Sequence, residues 1–168
     1  MALTAEDLKA LLKLQPLAIE GGYFSETYRS TETIAQSSLP SRYHQPKSFG
    51  TAIYFLLTPD TFSALHRLPT DEIYHFYLGD AVELLQLHPN GSGTITVLGH
   101  DLLGGMRPQL AIPRGTWQGS RLRPGGVFAL MGTTMAPGFD LSDFESGHRQ
   151  TLLDGYPALH DLINAFTR

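Results

Sequence analysis

The segment FSALHRLPTDEIYHFYLG, residues 62–79, reads as two short strands joined by a tight turn, with His66 near the end of the first and Glu72 opening the second. Side chains alternate between the two faces of a strand, so His66 and Leu68 share a face, and Glu72, Tyr74 and Phe76 share a face. Across Pro69-Thr70-Asp71 this alternation brings an imidazole and a carboxylate within reach of each other. By the same parity His75, three residues after Glu72, points the other way.

On both sides of this hairpin, further runs recur at the spacing of an all-β sandwich or barrel. Strands are expected near 51–57, 62–68, 72–78, 82–87, 94–98, 110–112, 117–122 and 127–133, and most are separated by turn residues such as Thr58-Pro59-Asp60 and Pro89-Asn90-Gly91. Upstream, Glu20-Gly21-Gly22-Tyr23-Phe24 predicts a bend or bulge before a strand carrying Glu26, Tyr28 and Arg29. Residues 31–47, rich in Ser, Thr, Gln and Pro, read as a long surface loop placed to cover one mouth of a barrel. Helices close both ends. Over 4–15, Thr4 is the N-cap, Glu6 and Asp7 suit the positive end of the dipole, and Leu8, Leu11 and Leu12 form a stripe before Pro16. Over 157–166, Pro157 suits the first turn and Leu159, Leu162, Ile163 and Phe166 repeat at helical spacing. With no repeat or linker, one domain spanning 1–168 is expected, its barrel over about 20–145.

Composition excludes several function classes. The chain has no cysteine, which rules out disulfides and thiol catalysis and is compatible with a reducing cytoplasm, the expected location. A net charge of −4 with 17% charged residues provides no basic stripe for a phosphate backbone, so nucleic acid is not an expected partner. Apolar runs such as 52–57 are too short to span a bilayer, and Glu6, Asp7, Lys9 and Lys13 interrupt any signal-peptide core, so no membrane partner is expected.

The residues of the hairpin also carry a family resemblance. The first cupin motif, G-x5-H-x-H-x3-4-E-x6-G, has its first His, its Glu and its final Gly at His66, Glu72 and Gly79, while Leu68 stands at the second His. The second motif, P-x-G-x2-H, is matched by Pro113, Arg114 and Gly115, with Gln118 where the last His would stand. With EGGYFSETYRS (20–30) and MAPGFDLSDFE (135–145), the chain over roughly 8–166 closely resembles the small cupin family catalogued as "cupin five". The resemblance implies a cupin (RmlC-like) jelly-roll barrel with short terminal helices, and a homodimer. It says less about activity, because that family is largely uncharacterised.

Three functional readings follow. In the first, a metal-free pocket binds a small polar or sugar-like molecule and moves a proton on it, as an epimerase or isomerase does. His66 is then the base, Glu72 its orienting partner, and Tyr74 the acid, ahead of Tyr28 and Tyr54. This picture is similar to the sugar-nucleotide 3,5-epimerases, cupins with a His base and a Tyr acid. In the second, a divalent transition metal is held by His66, Glu72 and Gln118; with Leu68 unable to ligate and Gln118 offering a neutral oxygen, the set is a poor one, and no cofactor is required. In the third, the chain binds or senses a small molecule without chemistry. Gln118, Phe76, Trp117, Tyr54, Phe62 and Tyr28 are the expected ligand-binding residues, with plain core packing as the alternative for each aromatic. Glu20, Glu26 and Arg29 read as partners at the pocket mouth or on a solvated strand. Asp140, Asp143 and Glu145 read as capping and turn residues, lacking the spacing of a calcium loop.

Overall fold

The computed structural model describes residues 3–168. The chain opens with helix α1 (Ala5–Leu11) and runs through β1 (Gln15–Pro16), β2 (Tyr23–Arg29), β3 (Thr33–Ile34), β4 (Lys47–Ser48), β5 (Thr51–Leu57), β6 (Phe62–Arg67) and β7 (Glu72–Gly79). It continues through β8 (Val82–Leu87), β9 (Gly93–Leu98), β10 (Gln109–Ile112), β11 (Trp117–Leu122), β12 (Ala129–Met135) and β13 (Glu145–Ser146), then ends in helices α2 (Arg149–Gly155) and α3 (His160–Ala165).

Two antiparallel sheets form the jelly roll, one ordered β1-β2-β5-β12-β7-β10 and the other β13-β6-β11-β8-β9. Inward-facing apolar side chains from both sheets make one cluster, with Phe55, Tyr74, Phe76 and Met131 from the first and Val82, Leu84 and Leu122 from the second. The outer face of each sheet is covered by a terminal helix region. Leu8 of α1 packs with Leu56 and Leu130, and Leu152, Ile163 and Phe166 of the C-terminal region pack with Leu65, Leu85 and Leu87. Both helical regions thus bury an apolar stripe against a sheet, which is why short helices persist there.

Thr4 caps α1 as expected, in a capping box with Asp7. The helix stops at Leu11 rather than 15, because Lys13 takes φ 54° and turns the chain so that Gln15 and Pro16 pair with Phe24 and Tyr23. At the other end, helix α2 over 149–155 was not expected, and Pro157 opens a single 3-10 turn before α3. The segment 31–47 is not a plain loop. It carries β3, a 3-10 turn at Gln36–Ser38 and the start of β4, and buries Tyr43 and Lys47.

One irregularity sets the inside of the barrel. Along β6, Gln118 of β11 faces His66 but Ser120 faces Ser63, so a bulge inserts one residue between them. Strict alternation would put Ser63 and His66, three apart, on opposite faces; the bulge aims both inward. Gly119 lies opposite, where a Cβ would come 2.9 Å from Ser63 O and 3.2 Å from Phe166 Cδ1. No larger residue fits this crossing without a shift.

Candidate functional site

At one end of the barrel a cavity of about 280 Å³ opens between the sheets. Its lining is largely apolar, including Leu17, Phe24, Ile53, Leu68, Met135 and Phe144, with Glu20, Glu72, Thr51 and Thr133 as polar groups and Glu26 and Arg29 at one side. Glu72 enters from the first residue of β7 and Thr133 from β12, whereas Glu20 enters from the bend before β2. Gly21 shapes that bend at φ 119°, and a Cβ there would lie 2.0 Å from Phe62 O, so the chain crosses β6 closely enough for Glu20 to turn inward. The Glu20 carbonyl is held by Ala64 N–H at 3.0 Å and by Arg168 Nη2 at 2.8 Å.

His66 is buried at 1% exposure, one layer behind this lining. Its Nδ1 lies 2.9 Å from the Ala64 carbonyl, which can only accept, so Nδ1 carries the proton in the neutral ring and Nε2 presents its lone pair. Nε2 faces Glu20 Oε2 at 3.9 Å, too long for a hydrogen bond. The other Glu20 oxygen accepts a short hydrogen bond from Ser63 Oγ. Phe144 stacks on the imidazole with ring centroids 4.9 Å apart.

Glu72 accepts a 2.8 Å hydrogen bond from Gln118 Nε2. Burial pushes its carboxyl above the usual carboxylate range; the His66 imidazole opposes this, the Glu20 carboxylate adds to it, and the contacts from Thr133 and Gln118 oppose it. Burial also pushes the Tyr74 phenol well up, and the neighbouring Glu72 and Glu20 carboxylates push it further.

The expected hairpin geometry is present: His66, Glu72 and Gln118 meet inside the barrel, and His75 faces outward, bonded to Thr134 and Gln109. The aromatics distribute differently from the expectation. Tyr74 and Phe76 do point inward, but they pack in the apolar cluster beyond the cavity instead of lining it. Tyr54 lies on the outer face beneath α1, edge-on to Tyr77, because its neighbours Ile53 and Phe55 take the inward positions. Tyr28 is 57% exposed: a register shift between Glu26 and Tyr28 turns it outward. Trp117 packs with the C-terminal helices, under the Arg67 guanidinium. Phe62 lies beside Arg168, across from Arg121 and outside the cavity lining.

Of the mouth residues, Glu26 and Arg29 pair in two hydrogen bonds of 2.9 and 2.7 Å, and Arg29 also donates to the Phe139 carbonyl. Glu20 stands apart from them, on His66. Asp140 caps the turn at Ser142, as its turn role predicts. Asp143 forms a buried ion pair with Lys47 Nζ at 2.6 Å, and Glu145 pairs with Arg67. Sequence reasoning placed neither Phe144 on His66 nor Thr133 at the carboxylate.

Among the described residues no group of three or more His, Cys, Asp or Glu is disposed to hold a metal ion. The donor chemistry accounts for this. Leu68 has no lone pair, and the Gln118 amide turns its NH₂ group, not its oxygen, toward Glu72, so a cation beside that carboxylate would meet N–H donors. The residues present therefore do not fit a tightly held divalent ion.

Comparison with known proteins agrees with this architecture. The family described as Cupin superfamily (DUF985), Cupin_5, matches residues 6–147. An uncharacterised protein of Saccharomyces cerevisiae is 28% identical over 152 residues, which cover 86% of this chain and 73% of the yeast protein. The crystal structure of a Shewanella oneidensis protein superposes with a TM-score of 0.88 at 32% identity, covering 99% of both chains. A hypothetical protein from Leishmania major gives 0.88 at 28% identity, over 98% of this chain and 99% of that one. Bacillus subtilis oxalate decarboxylase, with a TM-score of 0.52 at 14% identity over 88% of this chain and 36% of its own, shares the fold. The barrel, the His66–Glu72 hairpin and the match over 6–147 together assign the chain to the Cupin_5 family of the cupin superfamily.

Proposed function

We propose that the cavity binds a small polar, sugar-like molecule and that His66 and Glu72 transfer protons on it, in a metal-independent epimerisation or isomerisation. The observation that carries this reading is the fixed imidazole: Nδ1 is committed to the Ala64 carbonyl, so Nε2 is left as a base beside Glu20 and Glu72. Glu72, pushed toward its protonated form by burial, replaces Tyr74 as the acid. With Phe144 turned aside from the imidazole, a C–H bond next to a carbonyl would give its proton to His66 Nε2. The electron pair moves to the carbonyl oxygen, which takes the proton of Glu72. Glu20 stabilises the imidazolium. Isomerisation is completed when the imidazolium returns its proton to the neighbouring carbon and Glu72 takes back a hydroxyl proton. Epimerisation is completed when a water on the opposite face protonates the carbon while Glu72 takes back the enol proton and His66 loses its own to solvent. Neither needs an oxidant or cofactor.

The test is solvent exchange. With aldoses, ketoses and sugar nucleotides incubated in D₂O, deuterium should enter next to the carbonyl of one substrate class, and His66→Ala and Glu72→Gln should abolish that exchange. A second reading, ligand binding without chemistry, is favoured by Phe144, which covers His66. No exchange with any substrate, together with lost ligand affinity in both variants, selects it.

Association of two copies belongs to the same proposal. Strands β9 and β10 end their sheets, and Thr94, Ile95, Gln109 and Ala111 on them are exposed. Sedimentation equilibrium should read twice the chain mass; a monomer at micromolar concentration refutes this part. Among the described residues no helix is long and apolar enough to cross a membrane.

A further inference from the structure

Leu68 and Phe144, which wall the inner cavity, also line a second depression that Glu20 and Glu72 do not reach. This groove, about 670 Å³, carries Arg42, His44, Arg67 and Arg114 against Asp143 and Glu145. Both carboxylates are matched: Arg67 holds Glu145 through bonds of 2.6 and 2.8 Å, and Lys47 holds Asp143. Asp71 accepts the backbone N–H of Arg114 at 2.7 Å and does not line the groove. The Arg42 and Arg114 guanidiniums are therefore left without a carboxylate among the described residues, in a chain of net charge −4.

Arg42 is also held in position. Its Nε donates to the Pro69 carbonyl at 2.9 Å and its guanidinium lies 4.7 Å from the centroid of the Tyr43 ring, which is itself buried and bonded to Thr70. That arrangement commits one nitrogen and leaves the two terminal ones for a ligand, as planar recognition of an oxyanion requires. Arg114, also in the groove lining, rides a turn whose Gly115 takes φ 75° with no atom within 4 Å of a Cβ built there, so the approach is open.

We propose that this groove is an anion subsite for a phosphate group, and that the ligand's uncharged end reaches the inner cavity past Phe144. The inner cavity itself suits no anion, since Glu20 and Glu72 face it and Arg29 is spent on Glu26. The phosphate site stands independently; only the ligand's uncharged end rests on the proton-transfer reading.

The experiment titrates the full-length protein with inorganic phosphate, then with a hexose phosphate, at low ionic strength by calorimetry. Saturable phosphate binding is expected, weakened about tenfold or more by Arg42→Ala and by Arg114→Ala, the scale of a lost charged hydrogen bond. It should be unchanged in Arg123→Ala, an exposed arginine outside the groove. Arg114 is exposed, so its loss leaves folding intact. Phosphate bound equally by wild type, Arg42→Ala and Arg114→Ala, or weakened as much by Arg123→Ala, overturns the site. A hexose phosphate that binds more tightly than inorganic phosphate, the surplus vanishing in Glu72→Gln, supports one ligand across both spaces. Equal binding of the two overturns the span.

Discussion

At the scale of single residues, the Ala64 carbonyl decides how His66 works. Because that oxygen can only accept, the neutral ring should be the Nδ1–H tautomer, and nitrogen-15 spectra of the imidazole should show a protonated Nδ1 beside an unprotonated Nε2. The reverse assignment would remove the proposed base. Glu72 makes a second prediction. Its carboxyl, raised mainly by burial, binds a proton in the folded chain at pH values where the unfolded chain, near 4.5, has lost it. The folded state therefore holds more protons across that window, and the stability owed to Glu72 falls as pH rises from 4.5 through the raised value. Thermal unfolding of wild type and Glu72→Gln should thus diverge with pH, the wild type losing ground to the variant toward neutrality. A difference that is flat, or that grows in the opposite direction, contradicts the assignment. Both residues were legible from their hairpin spacing. Glu20 was read with Glu26 and Arg29, at the pocket mouth or on a solvated strand, and not beside His66, because its inward turn depends on how closely Gly21 crosses Phe62, a contact between segments some 40 residues apart.

At the scale of elements, the segment that carries Phe144 is tied down from several sides. Lys47 of β4 meets Asp143 in an ion pair with side-chain exposures of 1% and 7%, Gln45 donates to Ser142, and Arg67 of β6 holds Glu145 of β13. Surface pairs such as Arg67–Glu145 contribute little, but the Lys47–Asp143 pair is out of water, and removing one partner strands the other. Lys47→Met should cost about 3–5 kcal/mol in urea unfolding, and Lys47→Met with Asp143→Leu should recover most of that. Additive losses in the double variant would mean the two charges do not interact. The same pairing explains why residues 31–47 are more than a loop: they lack apolar periodicity, yet Tyr43 and Lys47 give them buried partners on another segment.

At the scale of the whole molecule, the two sheets share one inner apolar cluster, which couples them beyond the smaller cluster each has on its outer face. Unfolding should be a single cooperative event. Fluorescence of Trp117, the one tryptophan, reports the outer face of one sheet, whereas far-ultraviolet circular dichroism reports both. Their denaturation curves should coincide, and separated midpoints would mean that the sheets unfold as distinct units. The C-terminal region bears on the same unit, since Phe166 is fully buried on the sheet that carries His66 and Gln118.

The run of strands from β5 to β12, the turns between them and the meeting of His66 with Glu72 follow from the sequence alone, because strand alternation and turn chemistry act over a few residues. Gln118 joined them through its place in the second motif. What only the tertiary structure decided was which aromatics face inward and what surrounds the imidazole. The bulge in β6 and the register shift in β2 each displace side chains from simple parity, and a bulge is set by the strand opposite as well as by its own sequence. Tyr28, Tyr54, Phe62 and Trp117 are outside the cavity, and Glu20 and Phe144 are at the imidazole, because those facings are decided by packing between distant segments.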